Sequence, residues 1–167
     1  MGINIKENKM KIYLAGDCSS ENRTNMVRIA EQLRRYYQIE VYCPWEFKVE
    51  NAWGMSQETW SRLVFEADIA AIRDCDFVIA ISTGRISSGG TNWELGFAKG
   101  IGKQTIVIQI TDSPTSLMVF CGATYFYNAS KDTLFQTIAK LANNLVDCNG
   151  YIWRCTDNSH CCETVLT

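Results

Sequence analysis

A doubly wound α/β domain around a five-stranded parallel sheet, in the order 2-1-3-4-5, is the fold this 167-residue sequence predicts, on three observations. First, several short apolar runs are rich in Val and Ile, above all Phe77–Ser82, FVIAIS. Such runs are too short for helices and too uniformly apolar for strands with one face in water, so they read as strands buried on both faces. Second, these runs alternate with stretches of helical apolar spacing, the pattern of α/β proteins. Third, a loop carrying Gly84, Gly89 and Gly90 follows the central run. Open parallel sheets place their sites there, beyond the carboxyl ends of their strands.

Lys11–Gly16 (KIYLAG) is the first strand, after a polar lead over 1–10 that reads as disordered. Met26, Ile29, Ala30 and Leu33 then recur at helical spacing and predict a helix over about Glu21–Tyr37, its end favoured by Arg34 and Arg35 next to the negative pole of the dipole. Ile39–Cys43 is a second short strand, stopped by Pro44, and a loop with Trp45 and Trp53 leads to about Ser56. A long helix over Gln57–Arg73 turns Leu63, Val64, Ala67 and Ala71 to the core. After the central strand a helix begins near Thr91, followed by a strand over Gln104–Ile110 and a turn at Thr111–Pro114. Leu117–Phe120 is a short apolar helix or half-buried segment, Thr124–Tyr127 the fifth strand, and Leu134, Ile138, Leu141 and Leu145 mark a closing helix. The whole describes one Rossmann-like domain over 11–147 and a polar tail over 148–167, without internal repeats.

A net charge of −2 gives no sign of a nucleic-acid-binding surface, and no apolar run reaches the length of a membrane span. The polar lead lacks the apolar core of a signal peptide, so the expected home is the cytoplasm and the eight cysteines are expected as thiols. Cys18, Cys43, Cys75 and Cys121 lie in the body of the domain, where a reduced cysteine packs as a small apolar residue. The tail's Cys155, His160, Cys161 and Cys162 have metal-ligand chemistry, but their spacing fits no standard zinc module, and the tail reads as flexible or partner-docking. No metal or organic cofactor is expected.

Two carboxylates stand out. Glu94 lies near the start of the helix after the glycine loop. Thr91-x-x-Glu94 reads as a capping box, and a carboxylate there is also held ionised by the helix dipole, the state a nucleophile needs; the two readings are compatible. Asp68 falls among the apolar positions of the long helix. Such a carboxylate is salt-bridged, with Arg62 or Arg73 in reach, or functional. Gly16, Asp17 and Ser19, leaving the first strand, offer donors for a hydroxyl or a phosphate, or simply begin the next helix. Trp45 either stacks on a flat ligand or packs on the sheet.

Tyr13-Leu14-Ala15-Gly16, Asp68 followed by Ile72 and Cys75-Asp76, then Gly90-Thr91-x-x-Glu94-Leu95-Gly96-Phe97-Ala98 and Gly102-Lys103 together resemble the nucleoside 2-deoxyribosyltransferase family over about 11–145. The resemblance implies chemistry on an N-glycosidic bond without metal or organic cofactor. Glu94 would attack the anomeric carbon of a 2′-deoxyribosyl group, the base would leave, and a second base or water would take the sugar from the covalent intermediate. Asp68 would handle protons at the departing and entering base, and Tyr13 would orient Glu94, the division of labour of a retaining glycosidase. Partners would be a nucleoside or nucleotide, a free nucleobase and further copies of this chain in a homo-oligomer, with no nucleic-acid polymer and no membrane.

The departures from the family pattern bear on the substrate. Six residues before Glu94, where family members acting on free nucleosides usually carry an aspartate, stands Ser88. That resembles the related nucleoside 5′-monophosphate N-glycosidases, since Ser88 and the Gly89 and Gly90 N–H groups would receive a phosphate dianion that an aspartate would repel. Arg23 would meet that phosphate or stand in solvent. The asparagine that family transferases contribute from a partner chain has no match in Cys121–Tyr125, Asn128 being nearest. The expected function is thus transfer of deoxyribose between bases, with monophosphate hydrolysis as the alternative and a non-catalytic nucleotide-sensing module as a third reading.

Overall fold

The computed structural model describes residues 9–17, 19–84 and 89–147. Its core is a parallel sheet of five strands, β1 (Lys11–Gly16), β2 (Glu40–Tyr42), β3 (Phe77–Ser82), β4 (Gln104–Gln109) and β5 (Tyr125–Asn128), in the order β2-β1-β3-β4-β5. Five helices connect and cover them: α1 (Ser20–Tyr37), α2 (Gln57–Asp74), α3 (Gly89–Gly100), α4 (Leu117–Gly122) and α5 (Leu134–Asp147). The predicted elements and strand order are all present, with ends shifted by a residue or two.

Side-chain alternation along the strands divides the core in two. Ile12 and Leu14, with Phe77, Ile79, Ile81, Ile106 and Ile108, face α1 and α5. Tyr13 and Ala15, with Val78, Ala80 and Val107, face Ile72 of α2 and Leu95 and Ala98 of α3. The first face is filled by large aliphatic residues. The second is built from small ones, apart from Tyr13, so Tyr13 is the one bulky polar side chain at the centre of that layer and has no exposed surface.

Helix α1 ends where Gln38 adopts the left-handed conformation, φ 53°, and the Ile39 N–H turns back to the Leu33 carbonyl at 3.3 Å. Arg34 does more than complement the dipole. Its guanidinium forks onto Glu46 at 2.8 and 2.6 Å and also donates to the Val41 carbonyl, clasping the single 3-10 turn Pro44–Glu46 against α1.

Helix α2 departs from expectation. Ile72 is its one fully buried residue, while Val64, Ala67 and Ala71 are half-buried and Leu63 is exposed. The helix enters the core of the sheet through Ile72, near its C-terminal end. Of the cysteines in the body of the domain, Cys43 and Cys75 are buried as expected, but Cys121 lies exposed on α4. The predicted lead, the tail and Ser88 fall outside the described residues.

Beyond β3, Gly84 takes φ +72°, and a Cβ built there would stand 2.7 Å from the Ser113 carbonyl oxygen. The Gln109 amide donates to the carbonyls of Thr111 and Ser113, both at 2.8 Å, so the loop after β4 is braced against the start of the glycine loop. Gly84→Ala should therefore lower stability by about 1–3 kcal/mol, through a left-handed backbone and a steric clash together. Chemical denaturation followed by tryptophan fluorescence checks this.

Candidate active site

Four side chains from four elements meet on the α2/α3 face of the sheet. Tyr13 and Tyr42 are register partners across β1 and β2, so both project to the same face. Their rings stack with centroids 5.4 Å apart and planes 16° from parallel. Glu94 lies beside Leu95 on α3, one residue from its buried stripe, and its Oε1 accepts the Tyr13 hydroxyl at 2.9 Å. Asp68 stands one turn before Ile72 on α2, on the stripe that meets the core, and its Oδ1 accepts the Tyr42 hydroxyl at 3.0 Å. Two phenols, stacked on each other, thus each hold one carboxylate.

The local reasons differ from those the sequence suggests. Helix α3 starts at Gly89, so Thr91 is buried inside the first turn and is not its N-cap. The capping box is not formed, and Glu94 is left to pair with Tyr13. Asp68 forms no ion pair among the described residues: Arg62 bonds Glu58 at 3.3 Å, and Arg73 lies over the Phe97 ring. Its partner is a neutral hydroxyl instead.

Burial dominates the electrostatics. It pushes the Glu94 carboxyl up to about 7, with the Asp68 charge adding to the rise and the Tyr13 hydrogen bond opposing it. Burial also raises Asp68, against the hydrogen bond from Tyr42. Both phenols are driven upward, first by burial and then by the carboxylate each one faces, so they stay neutral donors. Two half-buried carboxylates, each held by a neutral phenol, thus face the same layer of the domain.

The other expected residues are spread around this centre. Gly16, Asp17 and Ser19 lie at the carboxyl end of β1, where Asp17 accepts from the Ser19 N–H and hydroxyl at 2.9 and 2.8 Å. A Cβ on Gly16 would strike the Met26 side chain, which explains the glycine by packing. Arg23 is exposed on α1, Gly90 is exposed in the first turn of α3, and Asn128 is exposed at the end of β5. Trp45 packs against the α1/α5 core, on the layer away from Tyr13. Tyr42 was not a sequence candidate. The signal that could have found it is its position two residues before Pro44, at the end of the strand that must pair with β1. Among the described residues there is no cluster of His, Cys, Asp or Glu suited to a metal ion, and no helix long and apolar enough to cross a membrane.

A family profile described as nucleoside 2-deoxyribosyltransferase matches residues 12–129, which include all four of these side chains. The chain belongs to that family. It is therefore an enzyme of N-glycosyl transfer or hydrolysis. Among solved structures it is similar to a 2-deoxyribosyltransferase from the psychrotolerant bacterium Bacillus psychrosaccharolyticus, at 29% identity over 77% of this chain and 95% of that one, with a TM-score of 0.61. The CMP N-glycosidase of Clostridium botulinum shares the fold at 18% identity over 78% and 97% of the two chains, TM-score 0.57. So does a conserved protein of Enterococcus faecalis, at 21% over 83% and 96%, TM-score 0.52. A comparison with curated proteins finds no match.

The raised Glu94 carboxyl has a consequence for stability. A carboxyl near 4.5 in the unfolded chain and about 7 in the folded one favours folding below pH 4.5, and that contribution is lost as the pH rises through 7. Glu94→Gln keeps an acceptor for Tyr13 but cannot ionise. The variant should match the wild type at pH 4 and exceed its stability at pH 8 by on the order of 3 kcal/mol. Urea denaturation at the two pH values checks this; an equal difference at both would contradict it.

Proposed function

We propose that this enzyme is a nucleoside 2-deoxyribosyltransferase that cleaves a 2′-deoxynucleoside through a covalent glycosyl–Glu94 intermediate and passes the sugar to another nucleobase, a step of nucleotide salvage. The observation that carries this reading is the pairing of Tyr13 with Glu94 beside Tyr42 with Asp68. Glu94 Oε2 attacks the anomeric carbon as the C–N bond breaks, and the bonding pair leaves with the base. Asp68 supplies a proton to the departing base and takes one back from the entering base. Tyr13 holds the other Glu94 oxygen, so the carboxylate meets the sugar in one orientation.

The sequence similarity to the Bacillus transferase supports deoxyribose transfer. A second reading, hydrolysis of a nucleoside 5′-monophosphate, rests on Ser88 and on Asn22. The Asn22 side chain, in the first turn of α1 beyond β1, is buried and its amide Nδ2 has no partner among the described residues. An amide N–H of that kind suits a phosphate oxygen.

Product chromatography separates the two. With deoxyinosine or deoxycytidine plus free adenine, the expected result is a deoxyadenosine peak. Glu94→Ala should lose it by at least about 10³-fold, the scale of nucleophile removal. Free base released only from the matching 5′-monophosphates would establish the hydrolase instead.

The same reading includes a homo-oligomer. Trp60, Phe65 and Trp93 are 44%, 51% and 49% exposed along α2 and α3, and Leu117 and Met118 stand out on α4. Phe65, Trp93 and Phe97 contact one another in a row, with centroids 5.3 and 5.5 Å apart. An apolar strip of this extent next to Glu94 is suited to burial against a second copy. Light scattering after size exclusion should give a dimer or larger species, and Phe65→Asp should shift it to monomer.

A further inference from the structure

Tyr42 has no assigned part in the chemistry, yet it makes the Asp68 hydrogen bond described above and stacks on the tyrosine that holds Glu94. We propose that Tyr42 is a positioning residue for the proton transfer. Its hydroxyl occupies Asp68 Oδ1 and so makes Oδ2 the oxygen that carries the proton to and from the nucleobase. The inference rests on the N-glycosyl reading above.

The geometry supports it in three ways. An aspartate on a helix has free χ1 and χ2 rotation unless something holds its head, and Tyr42 is the side chain that does so among the described residues. The phenol is itself fixed, since its ring lies against a fully buried ring in a near-parallel stack. A carboxyl whose Oδ1 accepts a hydrogen bond keeps its acidic proton on Oδ2, because a proton on Oδ1 would meet a donor. During bond cleavage the electron pair of the C–N bond goes to the base, and the Oδ2 proton neutralises it. In the second half-reaction Oδ2 recovers a proton from the incoming base as its nitrogen attacks the sugar and the Glu94 ester bond breaks. Atoms and charge balance without a further reactant.

The test separates proton delivery from structural support by the choice of leaving group. Tyr42→Phe keeps the ring and its stack but deletes the hydroxyl. An ordinary donor such as deoxyinosine needs a proton on the leaving base. 7-Methyl-2′-deoxyguanosine does not, because its cationic base departs neutral. Base release in a single turnover, with enzyme in excess and no acceptor base so that only the first half-reaction is read, would be measured for wild type, Tyr42→Phe and Asp68→Asn with both donors. The expected result is a loss of about 10- to 100-fold in the single-turnover rate on deoxyinosine for Tyr42→Phe, within the range of general-acid effects. On the methylated donor the loss should be less than about threefold, and Asp68→Asn should show the same contrast in stronger form. Equal losses on both donors would show that Tyr42 only supports the fold, and no loss on either would show that its hydroxyl is idle; each overturns the proposal. A wild type inert to both nucleosides would instead bring down the nucleoside reading itself, and this inference with it.

Discussion

A tyrosine with no exposed surface must find an acceptor for its hydroxyl inside the protein, and most of the site follows from that requirement. Tyr13 lies mid-strand in β1, between neighbours on both sides. An unsatisfied phenol in such a place costs about 1–3 kcal/mol, so the surrounding layer has to supply a partner. It does so with a carboxylate from α3, and burial then makes that carboxylate reluctant to ionise. The small side chains on this face, Ala15 and Ala80 among them, leave room for the pair. The same packing solution sets the orientation of the carboxylate on which the proposed chemistry rests.

The two core layers divide the work accordingly. The α1/α5 layer is a continuous aliphatic filling with buried side chains from four strands. The α2/α3 layer is thinner, polar at its centre and open at its outer helices, where aromatic side chains remain exposed.

Much of this was legible in the sequence. FVIAIS and the strand–helix alternation are local patterns, and they carried the strand order. Asp68 declared itself by being a charge at an apolar helical position. The misreadings have physical causes that act over longer distances. Thr91 looked like a cap because Thr-x-x-Glu is a local signature, but the helix begins two residues earlier at Gly89 and buries Thr91 instead. Of the two readings of Trp45 the structure supports packing, and the clasp between Arg34 and Glu46 that holds its segment joins residues twelve apart on separate elements. Tyr42 was overlooked because its value lies in the register of one strand against another, which no single stretch of sequence displays.

That register has a consequence for how the chain tolerates change in length. Strand β2 is an edge strand of three residues, aligned Lys11 with Glu40, Ile12 with Val41 and Tyr13 with Tyr42. In a strand, a shift by one position exchanges the two faces. A single-residue deletion between the end of α1 and Glu40 would bring Cys43 opposite Tyr13 and turn the Tyr42 phenol to the aliphatic layer. Insertions in the loop that follows Glu46 would leave the alignment untouched. Variation in length is thus open to one side of this strand and closed to the other, although both segments lie at the surface.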